Sequence, residues 1–403
     1  LKQTVVIVGA GQAGLQTAIA LRQGGYPGRV ILLGDEAHLP YQRPPLSKQV
    51  LKGEFDASRC TLRSADSLAD QGIDFRPGQR ATALHDNERR VTLADGGVLD
   101  FDHLVIATGA RLNRLALEGS SLAGVHYLRT LDDAVALRER LRAGQRLVVA
   151  GGGYIGLEVA ASACALGCTV TVVEAEPRIM RRSALPAVSE FLLARHRDAG
   201  VAFHLGRRMI EIHGSQAVRA VRLDDGASLE ADTVLIGLGV RPEIRWLEGS
   251  GVETARGVLV DAGCRTSREH VYAAGDCAET AHPWYPAPVV LESVQNAVTQ
   301  GKLCATAILG QNAAYEEVPW FWSEQHDCRL QMAGLPQPGD ELVLRRGGPD
   351  SLTVLSLGTD RLHAVQCVNA PRDYMAARKL IAARDAVDCA QLRDVRAELG
   401  DVR

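Results

Sequence analysis

The chain has 403 residues, 46% of them hydrophobic and 23% charged, with a formal net charge of −3. That much apolar material supports several buried cores, so two or three globular domains are expected. The near balance of charge excludes a nucleic-acid tract or a membrane-seeking basic helix, and any charged partner must be met by a local patch.

The first strand, over residues 4–8, starts with no charged leader or long apolar run before it, so neither secretion nor membrane passage is expected. The nine cysteines (60, 164, 168, 264, 277, 304, 328, 367 and 389) are scattered with no Cys-x-x-Cys, which predicts a reduced, cytoplasmic setting and no metal site. Cys164 and Cys168 share a helical face and read as small buried apolar residues; Cys60 follows Arg59 in an expected surface stretch.

Strand 4–8 is followed by Gly9-x-Gly11-x-x-Gly14 and a helix to residue 23. A strand, a tight turn and a helix N-terminus form a dinucleotide site, because glycines allow the turn, the approach of a pyrophosphate and close helix packing. The next strand, 30–33, ends at Gly34, so the ribose-binding carboxylate is Asp35 or Glu36, one or two places late. In the proline-stiffened segment 39–48, Arg43 and Lys48 offer two fixed positive charges to a bound anion. A helix over 64–71, a β-meander with turns at Asp86-Asn87 and Asp95-Gly96-Gly97, and a buried strand over 104–107 complete this unit. Residues 111–131 read as a crossing between domains.

The pattern then repeats. Strand 147–150 leads into Gly151-x-Gly153-x-x-Gly156, a helix over 154–166 and a strand over 169–173 ending on Glu174. A carboxylate about twenty residues after the glycines binds ribose hydroxyls and repels a 2′-phosphate, which favours NADH over NADPH. Arg178, Arg181 and Arg182 stand against that preference. A second meander over 209–223 and 229–236 turns at Asp224-Asp225-Gly226; residues 237–242 return the chain to the first domain, where strand 271–276 delivers Asp276 and a helix covers 292–307. From 316 a third segment carries strands over 329–334, 341–345, 352–357 and 362–368 and a helix over 373–383.

The expected fold class is α/β: two Rossmann-like dinucleotide-binding domains, each a parallel sheet with a β-meander, and a C-terminal mixed α/β domain. The expected boundaries are 1–110 with 239–315, 111–238, and 316–403. Two dinucleotide sites in one chain imply a permanently bound FAD and a transient nicotinamide dinucleotide.

The order Gly9-x-Gly11-x-x-Gly14, Pro40-Tyr41-x-Arg43-Pro44-Pro45-Leu46-Ser47-Lys48, Ala107-Thr108-Gly109, the second glycine motif, Ala274-Gly275-Asp276 and Pro319-Trp320-Phe321-Trp322-Ser323 resembles the FAD-dependent NADH–ferredoxin reductases of oxygenase systems, built on the glutathione-reductase fold. The resemblance covers essentially the whole chain. It implies that Gly9, Gly11, Ala13, Gly14, Asp35, Glu36, Arg43, Lys48, Ala81, Arg129, Asp276 and Val294 hold FAD, with Asp276 at its ribityl or pyrophosphate region. It implies that Gly151, Gly153, Ile155, Gly156, Glu174 and Gly239 hold NADH, that Glu158 and Glu292 meet the nicotinamide carboxamide, and that Trp322 lies against flavin and nicotinamide. Lys48, Glu158 and Trp322 are the expected catalytic set, with Glu158 and Lys48 facing each other as carboxylate and ammonium beside flavin N5.

The disulfide reductases of this fold carry a redox cysteine beside the flavin, and segment 43–48 has none. Electrons are therefore expected to leave singly for an outside acceptor: a [2Fe–2S] ferredoxin that supplies a P450 or Rieske oxygenase, met through Arg63, Lys302 and Arg329. Other acceptors (rubredoxin, monodehydroascorbate, a quinone, oxygen) remain open alternatives. So does a flavoprotein resembling apoptosis-inducing factor, whose output is redox-dependent binding.

Overall fold

The structure is a computed structural model and describes residues 3–402. It divides into two compact units. The first comprises the chain up to Gln42, Ser58–Arg111 and Val240–Glu317; the second comprises Arg43–Ala57, Leu112–Gly239 and the chain from Val318 onward. The proline-rich segment from Arg43, expected in the first domain, thus clusters with the second unit.

In the first unit, five parallel strands run in the order Val271–Ala273, His103–Ile106, Thr4–Val8, Arg29–Leu33, Ile73–Arg76. Val5, Val6 and Ile7 are wholly buried, as a strand covered on both faces requires, so apolar residues run consecutively instead of alternating. The helix Gln12–Gln23 packs on the helix Val294–Ile308. A Cβ at Gly301 would lie 2.6 Å from the Ala13 carbonyl oxygen, so only glycine permits this approach. The meander Ala81–His85, Arg90–Leu93, Val98–Asp100 is antiparallel, as expected.

The second unit repeats the plan with parallel strands in the order Ala202–Leu205, Thr169–Glu174, Arg146–Ala150, Thr233–Ile236, Val125–His126, and a meander Met209–Gly214, Val218–Leu223, Ser228–Glu230. The C-terminal segment forms its own antiparallel sheet, Trp320–Gln325, Cys328–Gly334, Leu362–Val368, Ser351–Leu357, Glu341–Gly348, covered by the helix Pro371–Ala383. Leu330, Leu352, Val354 and Val368 of this sheet share one apolar core with Leu157, Val188 and Leu192.

Several elements differ from expectation. The strand Trp320–Gln325 and the helices Leu131–Arg138 and Pro186–Asp198 were not anticipated. The helix expected over 292–307 starts at Val294, because the Ser293 hydroxyl accepts from Asn296 N and caps it. Cys60 is fully buried, at the end of the short helix Ala57–Cys60, not on the surface. Cys164 is partly exposed, whereas Cys168 is buried as expected.

Candidate functional site

Each unit holds a glycine turn built on the same constraint. Gly9 sits at φ +111°, where its hydrogen faces the Ala107 carbonyl oxygen, 2.1 Å from a would-be Cβ. Gly14 lets its helix pack on the turn, since a Cβ there would lie 1.9 Å from the Gly9 carbonyl oxygen. Gly11 opens the helix with no side-chain cap and nothing within 4 Å of a would-be Cβ, leaving room for an anion at a positive helix end. Ala13, in the first turn, is 3.0 Å from a would-be Cβ at Gly275, so the turn Gly275–Cys277 carries Asp276 beside the same helix end.

Glu36 accepts a 2.5 Å hydrogen bond from the Tyr41 hydroxyl, while Asp35 is exposed. Ala81 starts the meander and is buried; Gln79 N, two residues earlier, donates to Gly34 O just after the strand Arg29–Leu33. Val294 begins its helix and Glu292 is exposed just ahead of it. In that first turn Asn296 is wholly buried and donates to Leu291 O, yet its Oδ1 has no partner. An orphaned buried acceptor fits a cofactor that brings an N–H, as the flavin ring does. The open helix end, Asp276 and this oxygen offer the first unit a set of groups chemically compatible with FAD.

The second turn follows the first. Gly151 (φ +112°) faces the Gly237 carbonyl oxygen, 2.3 Å from a would-be Cβ, Gly156 faces that of Gly151 at 2.1 Å, and Gly153 is open. Ile155 is 44% exposed in the first helical turn, an apolar surface for a nucleotide to cover. Glu174 accepts from Gly152 N (2.6 Å) and Glu176 N (2.8 Å), which fixes its carboxylate beside the turn. Of the three arginines that stood against an NADH preference, Arg178 is tied to Ala184 O and Ser189 Oγ, and Arg181 pairs with Glu176. Arg182 is exposed, near Gly239, whose φ is +80°. NADH should therefore exceed NADPH by at least about tenfold in kcat/KM, and Glu174→Ala should narrow the gap. A parent protein that prefers NADPH would refute the ribose assignment and implicate Arg182.

Lys48 and Glu158 meet within this second unit. Lys48 Nζ donates to Glu158 Oε2 at 2.7 Å, with Lys48 9% and Glu158 4% exposed. Glu158 is therefore no surface helix residue. The Ser47 hydroxyl also donates to Oε2 (2.5 Å), and the Ser323 hydroxyl donates to Oε1 (2.7 Å), so both oxygens are satisfied. Ser162, one turn after Glu158, donates to Ser47 O at 2.7 Å and pins the Lys48 segment to the helix. Removing one partner of so buried a pair is costly, about 3–5 kcal/mol, because the other charge is stranded. Arg43 donates to Arg129 O (2.5 Å), placing those two residues together.

Side chains on a strand alternate, so on Trp320–Gln325 Ser323 and Gln325 share the face that reaches Glu158. Trp322 takes the other face with Trp320, ring centroids 5.6 Å apart, and Arg378 lies over Trp320. Ser47 and Ser323 stood inside recognised motifs without an assigned role; Asn296, Gln325 and His196 carried no signal. Arg63, Lys302 and Arg329 are all exposed. Among the described residues no cluster of His, Cys, Asp and Glu could hold a metal, and no helix is long and apolar enough to cross a membrane.

Two nucleotide turns and a paired lysine and glutamate define a flavin- and nicotinamide-dependent oxidoreductase, and comparison with known proteins agrees. The family model for pyridine nucleotide-disulphide oxidoreductases matches residues 3–301, and that for the reductase C-terminal domain matches 320–403. Rhodocoxin reductase of Rhodococcus erythropolis is 41% identical over 382 residues, 94% of this chain and 89% of its own. The crystal structure of the ferredoxin reductase for the CYP199A2 system from Rhodopseudomonas palustris is 39% identical, with a TM-score of 0.94 over 99% of both chains. That of the covalent putidaredoxin reductase–putidaredoxin complex is 37% identical, with a TM-score of 0.95 over 98% of this chain and 97% of that one. The chain belongs to the ferredoxin–NAD(P)+ reductases of the putidaredoxin reductase type, enzymes that use FAD and a nicotinamide dinucleotide.

Proposed function

We propose that this chain takes hydride from NADH on to FAD and releases the electrons one at a time to a [2Fe–2S] ferredoxin serving a P450 or Rieske oxygenase. Bound FAD supplies the conversion of a two-electron donor into single electrons, which no side chain provides. The observation that carries the reading is the buried Lys48–Glu158 pair, held by Ser47 and Ser323. In our assignment residues 1–110 with 239–315 hold FAD, 111–238 hold NADH, and 316–403 contribute Trp322 beside the reacting rings. The glycine turns bind the two pyrophosphates, Glu174 orients the adenosine ribose, and Glu158 and Glu292 orient the carboxamide. Lys48 keeps a positive charge beside the flavin site. Positioning and electrostatics then do the work, with no side chain acting as general acid.

The thiols support direct electron release. Burial holds Cys277 up to about 11, Cys367 and Cys328 up to about 12, and Cys304 well above the ordinary range, so none is poised as a thiolate relay.

Arg63, Lys302 and Arg329 are the proposed contacts for an acidic ferredoxin. The rate of ferredoxin reduction should fall several-fold as ionic strength rises, while NADH-to-dye activity stays nearly flat. Charge reversal at Lys302 or Arg329 should weaken ferredoxin reduction by about three- to tenfold and spare dye reduction. Equal losses in both assays, or none in either, would put the docking face elsewhere. Stopped-flow comparison of ferredoxin with rubredoxin, quinone and oxygen as oxidants of the NADH-reduced protein tests the acceptor itself.

A further inference from the structure

Behind Glu158 a chain of hydrogen bonds runs away from the nucleotide turn. Ser323 Oγ, which donates to Glu158 Oε1, accepts from Gln325 Nε2 at 3.1 Å. Gln325 Oε1 lies 2.9 Å from His196 Nε2, and His196 Nδ1 lies 3.0 Å from His326 Nε2. Ser323, Gln325 and His196 are 0%, 2% and 0% exposed, and His326 is exposed at the tip of the hairpin. His196 comes from the helix Pro186–Asp198, which also supplies core contacts such as Val188 and Leu192.

Proton counting fixes the direction of this chain. Burial holds His196 down to about 4, so near neutral pH its ring carries one N–H. If that proton sits on Nε2, it donates to Gln325 Oε1; the Gln325 amide then donates to Ser323, the Ser323 hydroxyl donates to Glu158, and His196 Nδ1 accepts from His326. Every contact then holds one proton. With the Gln325 amide turned over, its oxygen faces Ser323. The single hydroxyl proton must then leave either that contact or the Glu158 contact empty, with two lone pairs opposed. The Ser323–Glu158 end therefore selects the first arrangement, and His196 completes it by meeting the amide oxygen with its Nε2–H.

We propose that His196 is a positioning residue for Glu158, acting through Gln325 and Ser323 to keep the second carboxylate oxygen bonded and the carboxylate aimed at Lys48. The inference rests on the reading of the Lys48–Glu158 pair as the group that orients the nicotinamide beside the flavin. It assigns a task to His196 and Gln325, neither of which has a part in nucleotide binding in our assignment.

The test uses the FAD-loaded protein. His196→Phe keeps a planar aromatic ring and removes both nitrogens; His196→Gln restores an amide donor and an acceptor. His196→Phe should slow flavin reduction by NADH in stopped flow by roughly five- to tenfold, with flavin content unchanged. It should also weaken NAD+ binding to the oxidised holoenzyme, read by calorimetry, by a similar factor. His196→Gln should recover most of both. Parental rates and affinity in His196→Phe, or losses that His196→Gln fails to recover, overturn the proposal. Should His196→Phe not fold, Gln325→Met cuts the same chain from the hairpin and must show the same losses, and unchanged values there overturn it. Glu158→Gln separates the two layers. If it slows flavin reduction strongly while His196→Phe and Gln325→Met do not, the pair keeps its role and the inference falls. If Glu158→Gln has no effect, the reading of the pair falls and the inference with it.

Discussion

Gly14→Ala should yield protein with less than about a tenth of the parental flavin per chain, and much of it unfolded. The added methyl would sit 1.9 Å from the Gly9 carbonyl oxygen, a backbone atom of the same turn, and 3.1 Å from the Ile7 side chain. Neither can yield without lifting the helix Gln12–Gln23 off the strand Thr4–Val8. Overpacking of this kind costs at least about 3 kcal/mol, a large share of a domain's net stability. Gly11→Ala is the informative partner. Its φ of −76° suits alanine and nothing lies within 4 Å of the new methyl, so the apoprotein should fold as the parent does. The methyl would enter the open space before the helix end, where the pyrophosphate must approach, so FAD affinity should still fall. Flavin absorbance per mole of protein and thermal melting of the apoproteins separate the two. Full flavin in both variants would refute the assignment of this turn; an unfolded Gly11→Ala would refute the argument that its space is reserved for ligand.

The same contrast explains what was legible in the sequence. Glycine at 9 and 151 answers a local demand for positive φ, and glycine at 14 and 156 the closeness of the same turn's backbone, and such demands are written in residue type and spacing. Lys48 and Glu158 were legible for a related reason: each lies a fixed few residues from a motif, the proline segment and Gly156. The helix Leu131–Arg138 went unread although Thr130 and Asp133 form a capping box, a signal that was present and passed over. The strand Trp320–Gln325 was hidden by its content. Its inner face carries Ser323 and Gln325 beside Phe321 and its other face carries Trp320 and Trp322, so the usual alternation of apolar and polar positions is absent. Those polar residues are buried because Glu158 and His196 satisfy them, and these partners are 165 and 129 residues away in sequence. No local pattern encodes such a meeting. Asp35 and Glu36 differ only in direction at the strand end, which spacing alone leaves open; Tyr41 engages Glu36.

Acid should destabilise the second unit through His196 before most carboxylates titrate. The imidazole is wholly buried and held down to about 4, first by burial and further by the neighbouring His326, with the Gln325 bond opposing. In the unfolded chain the same ring titrates near 6.5, so between pH 6.5 and about 4 the unfolded state binds a proton that the folded state refuses. Stability is then full above pH 6.5, falls as pH drops through that window, and levels below about 4. The interval corresponds to roughly 3 kcal/mol at its lower end. His196→Gln cannot titrate, yet offers an N–H to Gln325 and an oxygen to His326. Urea denaturation of parent and variant at pH 7.5, 6, 5 and 4.5, pH values taken at roughly the span of the window, should show the parent losing about 2–3 kcal/mol more than the variant. Groups with lowered values away from His196, among them His103, His126 and Asp232, titrate alike in both proteins and cancel in the difference. Parallel curves for the two proteins would show that the His196 ring accepts its proton in the folded state, and would remove the single-N–H condition on which the direction of the hydrogen-bond chain depends.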